Sequence, residues 1–275
     1  NPTAAGSGRS ATASFARKER SAAEVDQARV ARVASDTLTA LHDVIRRHRM
    51  SYAEYDAVKA WLIGVGEDGE WPLFLDVFVE HAVEEVANAD RQGAVGTIEG
   101  PYYLPGAPES AGETTLPMRA DEAGTPLLFG GIVSDLDGSP IPGALVELWH
   151  ADAEGFYSQF APGIPEWNLR GAIRTGADGG YAFHTIEPAP YQIPTDGSTG
   201  AFIASAGWHA WRPAHLHVKV SGPGRRPVTT QLYFDGGDYV ANDVAQAVKP
   251  ELILHPRPTG AGGNQVTYDF PLDPA

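Results

Sequence analysis

The stretch A-W-R-P-A-H-L-H-V-K-V (Ala210–Val220) is followed by S-G-P-G-R-R-P (Ser221–Pro227) and V-T-T-Q-L-Y (Val228–Tyr233). It reads as a strand entered after a proline, a turn, and a second strand. Side chains alternate faces along a strand, so residues two apart point the same way. Leu216, Val218 and Val220 therefore share one face and can bury in a core, while His215 and His217 share the other. Two imidazoles on one face can reach a single cation. An isolated His-x-His is ordinarily a pair of surface histidines, and only further ligands decide between the two readings.

Working outward, the downstream half is rich in turn chemistry. Leu127–Ser134 leads into the turn Asp135–Gly138, Ala144–Trp149 alternates apolar and polar positions, and Gly180–Ile186 follows another glycine turn. A last run lies near Gln265–Phe270. Six or more short strands without a βαβ rhythm predict a sandwich or barrel. Upstream, apolar spacings of three and four predict helices over Ala22–His48, Tyr52–Ile63 and Pro72–Ala89. The fold class expected is mainly β with α: a helical N-terminal region followed by a C-terminal β-sandwich. The expected organisation is a flexible segment at 1–18, helices at 19–95 and the sandwich at 96–275. The stripe on the first helix (Val30, Val33, Leu38, Leu41, Val44, Ile45) fits either the core of a small helical layer or a subunit interface.

Composition narrows the function. A formal charge of -15 repels phosphate backbones and acidic membranes, which argues against nucleic acid as a partner. With no cysteine there is no disulfide, iron–sulfur cluster or thiolate zinc site. No apolar run approaches about 18 residues, so no membrane span is expected, and residues 1–15 lack the apolar region of a secretory signal. Gly64-Val-Gly66-Glu-Asp-Gly69 matches a dinucleotide fingerprint by letter. It follows a helix rather than a strand and carries two acids that repel pyrophosphate, so it reads as an acidic turn.

The question left is what completes the histidine pair. His81 and Glu84 lie in the helical part, and no carboxylate near His215 and His217 has the spacing of a zinc protease or a di-iron bundle. Tyr157 follows a strand in H-A-D-A-E-G-F-Y, and Tyr191 sits between prolines in P-A-P-Y-Q-I-P. On spacing alone, either is as readily a packing aromatic as a ligand.

Taken together, G-P-Y-Y, E-L-W-H-A-D-A-E-G-F-Y, P-A-P-Y-Q-I-P, R-P-A-H-L-H and T-T-Q-L-Y-F resemble the intradiol ring-cleavage dioxygenases, and within them the catechol 1,2-dioxygenase group. The resemblance runs from the first helix onward. It implies one ferric ion per subunit held by Tyr157, Tyr191, His215 and His217, with Arg212 and Gln231 beside the substrate. It further implies a pocket lined by Leu73, Asp76, Val77, Ile98, Gly100, Pro101, Tyr102, Val244 and Ala245, a homodimer formed through the N-terminal helices, a phospholipid bound there, and a cytoplasmic enzyme of aromatic degradation.

In the implied reaction catechol chelates the iron through both oxygens and displaces Tyr191, which takes one of its protons. O2 then attacks the ring, which opens between the oxygenated carbons to cis,cis-muconate, and Arg212 stabilises the negative charge that builds up. Physical chemistry agrees with this carry-over. A hard trivalent ion favours anionic oxygen donors. Two phenolates and two neutral imidazoles would leave the site near +1, suited to a catecholate dianion. Catechol is the substrate expected first, with chlorocatechol and hydroxyquinol as alternatives. Two rival readings are a sandwich that binds metal without turnover and a lipid- or partner-binding protein. Either would lack the intense visible charge transfer of tyrosinate–iron(III).

Overall fold

Asp26, whose side chain accepts from Ala28 N at 2.9 Å, starts the first helix. The structure is a computed structural model and describes residues 26–260 and 262–275. The expected flexible segment at 1–18 and the first residues of the expected helix lie outside that range. Four helices come first: α1 (Gln27–His48), α2 (Tyr52–Glu67), α3 (Trp71–Phe78) and α4 (Glu80–Asn88). A reciprocal Ser51–Glu54 capping box opens α2. The single helix expected over Pro72–Ala89 is broken at Val79, where φ reaches -126°, and this divides it into α3 and α4.

The rest is mostly strand: β1 (Glu109–Ala111), β2 (Glu113–Thr115), β3 (Pro126–Asp135), β4 (Leu145–Trp149), β5 (Arg170–Arg174), β6 (Gly180–Ile186) and β7 (Tyr191–Gln192). After the helix α5 (Ser198–Ala206) come β8 (Trp211–Arg212), β9 (His215–Ser221), β10 (Val228–Phe234), β11 (Ile253–Leu254), β12 (Arg257–Pro258), β13 (Asn264–Thr267) and β14 (Phe270–Leu272). One sheet has the order β1-β5-β4-β9-β10-β11; the other runs β12-β13-β3-β6-β2, with β14 also on β3. Strands β7 and β8 form a separate ribbon.

The two large sheets pack face to face. Leu216, Val218, Val220, Val146, Leu148 and Leu232 from one meet Leu127, Phe129, Phe183 and Phe270 from the other in a continuous buried core. The alternation read along β9 is borne out on its apolar face. Its other face is not a solvent surface, because His215 and His217 are also buried beneath loops.

The helical layer departs from one of the two readings of α1. None of its residues is buried, and Val33 and Leu41 are 54% exposed, so the stripe is not the core of a helical layer within the described chain. Helices α2, α3 and α5 do pack, through Trp61, Phe74, Phe78, Phe202 and Trp208, and Trp61 Nε1 donates to Ser198 O at 2.8 Å. The segment Gly64–Gly69, expected as an acidic turn, is helical through Glu67 as the end of α2, and only Asp68 and Gly69 form the turn, from which α5 is capped. Asp68 accepts from Ser198 N at 2.9 Å, and neighbouring Glu70 accepts from Thr199 N at 2.7 Å. Among the described residues no helix is long and apolar enough to cross a membrane.

His150 ties the sheets together at the end of β4. Its Nδ1 lies 2.7 Å from Ala151 O, and its Nε2 lies 2.7 Å from the Thr185 hydroxyl on β6. Burial pushes its pKa from 6.5 down to about 4. The unfolded chain therefore takes up this proton first, and the stability contributed by His150 is complete above pH 6.5 and lost as pH falls toward about 4. At about 1.4 kcal/mol per unit, the loss is of order 3 kcal/mol. Urea unfolding at pH 7, 5 and 4 should show a shallower pH slope for His150→Gln than for the wild type; equal slopes would refute the assignment.

Candidate functional site

Pairing register stacks the site residues in rows. On β9, His217 faces Trp149 of β4 and Gln231 of β10, and His215 faces Tyr233 of β10. The β7–β8 ribbon sets Tyr191 opposite Arg212. Tyr157 comes from a loop shaped by Asp152, whose Oδ1 accepts from Glu154 N and Phe156 N at 3.0 and 2.9 Å. Arg170 fastens the same loop. It donates to Ser158 Oγ and Ser158 O at 2.7 and 3.1 Å, and to Tyr102 O at 2.7 Å.

The four residues of the expected ligand set come together. His217 Nε2 is 3.0 Å from both Tyr157 Oη and His215 Nε2, and the centroid of the Tyr191 ring lies 5.5 Å from that of Tyr157 and 5.6 Å from that of His215. His215 Nδ1 lies 2.7 Å from Pro213 O. That contact requires Nδ1–H and leaves the Nε2 lone pair directed at the cluster. Burial, reinforced by the Arg212 charge, holds His215 neutral with a pKa of about 3. Burial, with nearby positive charge such as Arg212 adding to it, holds His217 well below the ordinary imidazole value. Burial pushes both tyrosines up, so without a cation they are phenols.

Two phenol oxygens and two imidazole nitrogens converging in a dry site make a donor set for a hard metal ion. Among the described residues no group of three or more His, Asp or Glu gathers to hold a metal, so the tyrosines are what extend the histidine pair. Trp149 lies flat on His217, with ring centroids 4.8 Å apart and planes 10° apart, and fixes the imidazole's plane.

Arg212 and Gln231 are both buried beside this cluster, which excludes a surface role for either. Arg212 Nη2 donates to Gln231 Oε1 at 2.9 Å, Tyr233 Oη donates to the same oxygen at 2.9 Å, and Gln231 Nε2 donates to Ile98 O at 3.0 Å. Sequence reading missed the partner that balances the guanidinium. Asp243 receives Arg212 Nε at 3.0 Å and Nη2 at 2.9 Å in a bidentate pair. Burial would raise its carboxyl, but the Arg212 charge outweighs that and keeps it below the ordinary value.

Most of the expected lining is assembled as well. Leu73, Val77, Ile98, Tyr102 and Ala245 join Tyr157 and Tyr191 in one buried cluster, with Val244 packed against it. The Tyr102 ring stacks on Tyr157, with centroids 4.2 Å apart and planes 8° apart. Gly100 has φ +71°, and a Cβ there would come 3.6 Å from His217 Cε1 and 3.7 Å from Gln231 Nε2. Asp76 and Pro101 are half-buried in α3 and in the turn before Tyr102.

The family described as catechol dioxygenase N terminus matches residues 27–95, and the family described as dioxygenase matches residues 98–274. The chain is 44% identical over 217 residues to the chlorocatechol 1,2-dioxygenase of Rhodococcus opacus, covering 78% of this chain and 84% of that protein. It is 35% identical over 254 residues to the catechol 1,2-dioxygenase of Acinetobacter baylyi, covering 87% of this chain and 80% of that one. The crystal structure of the 3-chlorocatechol 1,2-dioxygenase of Rhodococcus opacus superposes with a TM-score of 0.86 at 46% identity, over 91% of this chain and all of the other. Helices leading into a sandwich, a buried Tyr–Tyr–His–His cluster and these matches agree: the chain belongs to the intradiol ring-cleaving dioxygenases, a family that uses non-haem iron.

Proposed function

We propose that this chain opens the ring of a catechol with O2 between its two oxygenated carbons, with chlorocatechols as the preferred substrates. The convergence of Tyr157, Tyr191, His215 and His217 carries the reading. These four would hold a ferric ion, which when bound supplies Lewis acidity to the two substrate oxygens. His215 and His217, kept neutral by burial, are ready to donate lone pairs at neutral pH. Tyr157 and Tyr191 must each give up a proton when the cation enters. Tyr191, set opposite Arg212 in the β7–β8 ribbon, is placed to take up a proton from the substrate diol. Arg212 presents a fixed positive charge to negative charge developing on the ring, and Gln231 holds its Nη2 in place.

Preference within the family follows from the lining. Leu73, Val77, Ile98 and Ala245 form an apolar cup in which Val77 and Ala245 are small enough to admit a ring substituent. The 44% identity to a chlorocatechol enzyme supports the same choice over the notional bare ring. Such a pocket separates one substituent from none by only ~1–3 kcal/mol, so unsubstituted catechol remains the second reading. Oxygen uptake by iron-loaded protein with catechol, 4-chlorocatechol and hydroxyquinol tests this. The chlorinated ring should give the highest kcat/KM, with catechol within roughly 200-fold. A lead for hydroxyquinol would move the chain to a sister activity, and no uptake from ferric protein would sink the reading.

The proposed organisation is a helical part at 19–95 and a catalytic sandwich at 96–275, which the family matches at 27–95 and 98–274 support. We read the uncovered stripe on α1 as the contact with a second copy, with a phospholipid held against it, in a cytoplasmic enzyme. Leu41→Glu should lower the mass found by sedimentation to that of one chain.

A further inference from the structure

Asp243 does more than balance a charge. Its side chain is 2% exposed, and its two oxygens accept four hydrogen bonds. Oδ1 takes Arg212 Nε at 3.0 Å and Ala245 N at 3.2 Å; Oδ2 takes Arg212 Nη2 at 2.9 Å and Ala247 N at 3.2 Å. Between those two alanines Gln246 is left-handed, with φ 52°. This conformation turns alternate amides toward one point and makes a small anion nest from the backbone. The same short segment is held on its other side: Val244 N donates to Trp211 O at 3.3 Å, and Thr97 Oγ1 donates to Ala247 O at 3.0 Å. Ala245, on the nest, is also part of the buried apolar cluster with Leu73, Val77 and Ile98. One carboxylate thus fixes both the plane of the guanidinium and the wall across from it.

We propose that Asp243 is a positioning residue that locks the Arg212 charge and the Val244–Ala245 wall into one unit, so that turnover rate and discrimination between ring substituents share a single anchor. The proposal rests on the reading above that places Arg212 and Ala245 at the substrate. An amide cannot replace the carboxylate. In Asp243→Asn one of the two oxygens becomes NH2, a donor facing an arginine N–H and a backbone N–H, so two of the four bonds are lost.

Iron-loaded wild type, Asp243→Asn, Arg212→Met and the double variant should be compared for kcat and KM with catechol and 4-chlorocatechol. The double variant removes both charges together and keeps the test alive if Asp243→Asn alone does not fold. In Asp243→Asn the visible tyrosinate–iron band should stay, kcat should fall about 10- to 100-fold, and the ratio of kcat/KM for the two substrates should move at least about threefold. In the Arg212→Met background the Asn substitution should cost no further kcat yet still move that ratio. An equal loss of kcat in both backgrounds, or an unmoved ratio, overturns the proposal. Hydrogen exchange of whichever of the Ala245 and Ala247 amides loses its acceptor, read without substrate, should speed up at least about tenfold in Asp243→Asn. Unchanged exchange also overturns it. Wild-type protein that holds ferric iron but turns over neither substrate instead defeats the ring-cleavage reading, whatever the exchange shows.

Discussion

Replacing His217 with alanine is expected to strip the protein of iron and to cut kcat by at least about a thousandfold. Losing an outer partner of a metal ligand already costs roughly 10–100-fold in affinity or activity, and His217 is placed to be a ligand itself. It is fully buried, its Nε2 sits 3.0 Å from two of the other three donors, and Trp149 holds its ring flat. No other side chain can move in to replace it, because the backbone here is locked between β4 and β10. The fold should survive: the lost imidazole is neutral, and its Nδ1 has no partner among the described residues. Iron content by elemental analysis and the visible charge-transfer band should both collapse, while the circular dichroism of the metal-free protein stays that of the wild type. Retention of stoichiometric iron would remove His217 from the ligand set.

The second large effect is expected at Arg212. Truncation to alanine leaves the Asp243 carboxylate buried without its counter-charge, a class of change that costs about 3–5 kcal/mol. It also removes the fixed charge that we propose faces the substrate, for which a 10²–10³-fold drop in kcat is expected. The pH dependence separates the two effects. In the wild type Asp243 has a folded pKa below the unfolded value near 3.9, so the pair's contribution is present above that pH and is lost as pH falls through the folded pKa. Arg212→Ala should therefore be most destabilised at neutral pH and approach the wild type in acid. Urea midpoints at pH 7 and at a pH well below 3.9, with single-turnover rates, check both. Arg212→Lys should recover part of the stability but little of the rate, because one ammonium cannot serve Asp243 and Gln231 in the same plane.

What the sequence disclosed was whatever is written locally. The period-two alternation of Leu216, Val218 and Val220 identified β9, and the tyrosine and histidine motifs marked the donor set through their family resemblance. What it concealed was set by partners distant in the chain. Helix α5 has no capping side chain of its own, and its N-terminus is satisfied by Asp68 and Glu70, about 130 residues away. Strand β5 is buried at Arg170, Gly171, Ala172 and Ile173 in succession, so it shows no alternation to read. Asp243 lies 31 residues from Arg212, in a loop whose residues suggest nothing but a turn. Trp149 meets His217 only through the pairing of β4 with β9. The break at Val79 has neither glycine nor proline to announce it.

Strand β9 has one apolar face in the sandwich core and one face that carries His215 and His217. Its neighbours on both sides are hydrogen-bonded in fixed register. Inserting or deleting one residue there would exchange the faces, sending imidazoles into the core and leucine and valines into the donor cluster. Fold and chemistry would fail in the same step. Length variation in a lineage of such proteins is thus barred from within β9 and its partners β4 and β10 and confined to connections such as 222–227 and 235–242. Divergence in substrate choice has to proceed by changes of side chain in the helices and loops of the cup, on a frame whose spacing does not drift.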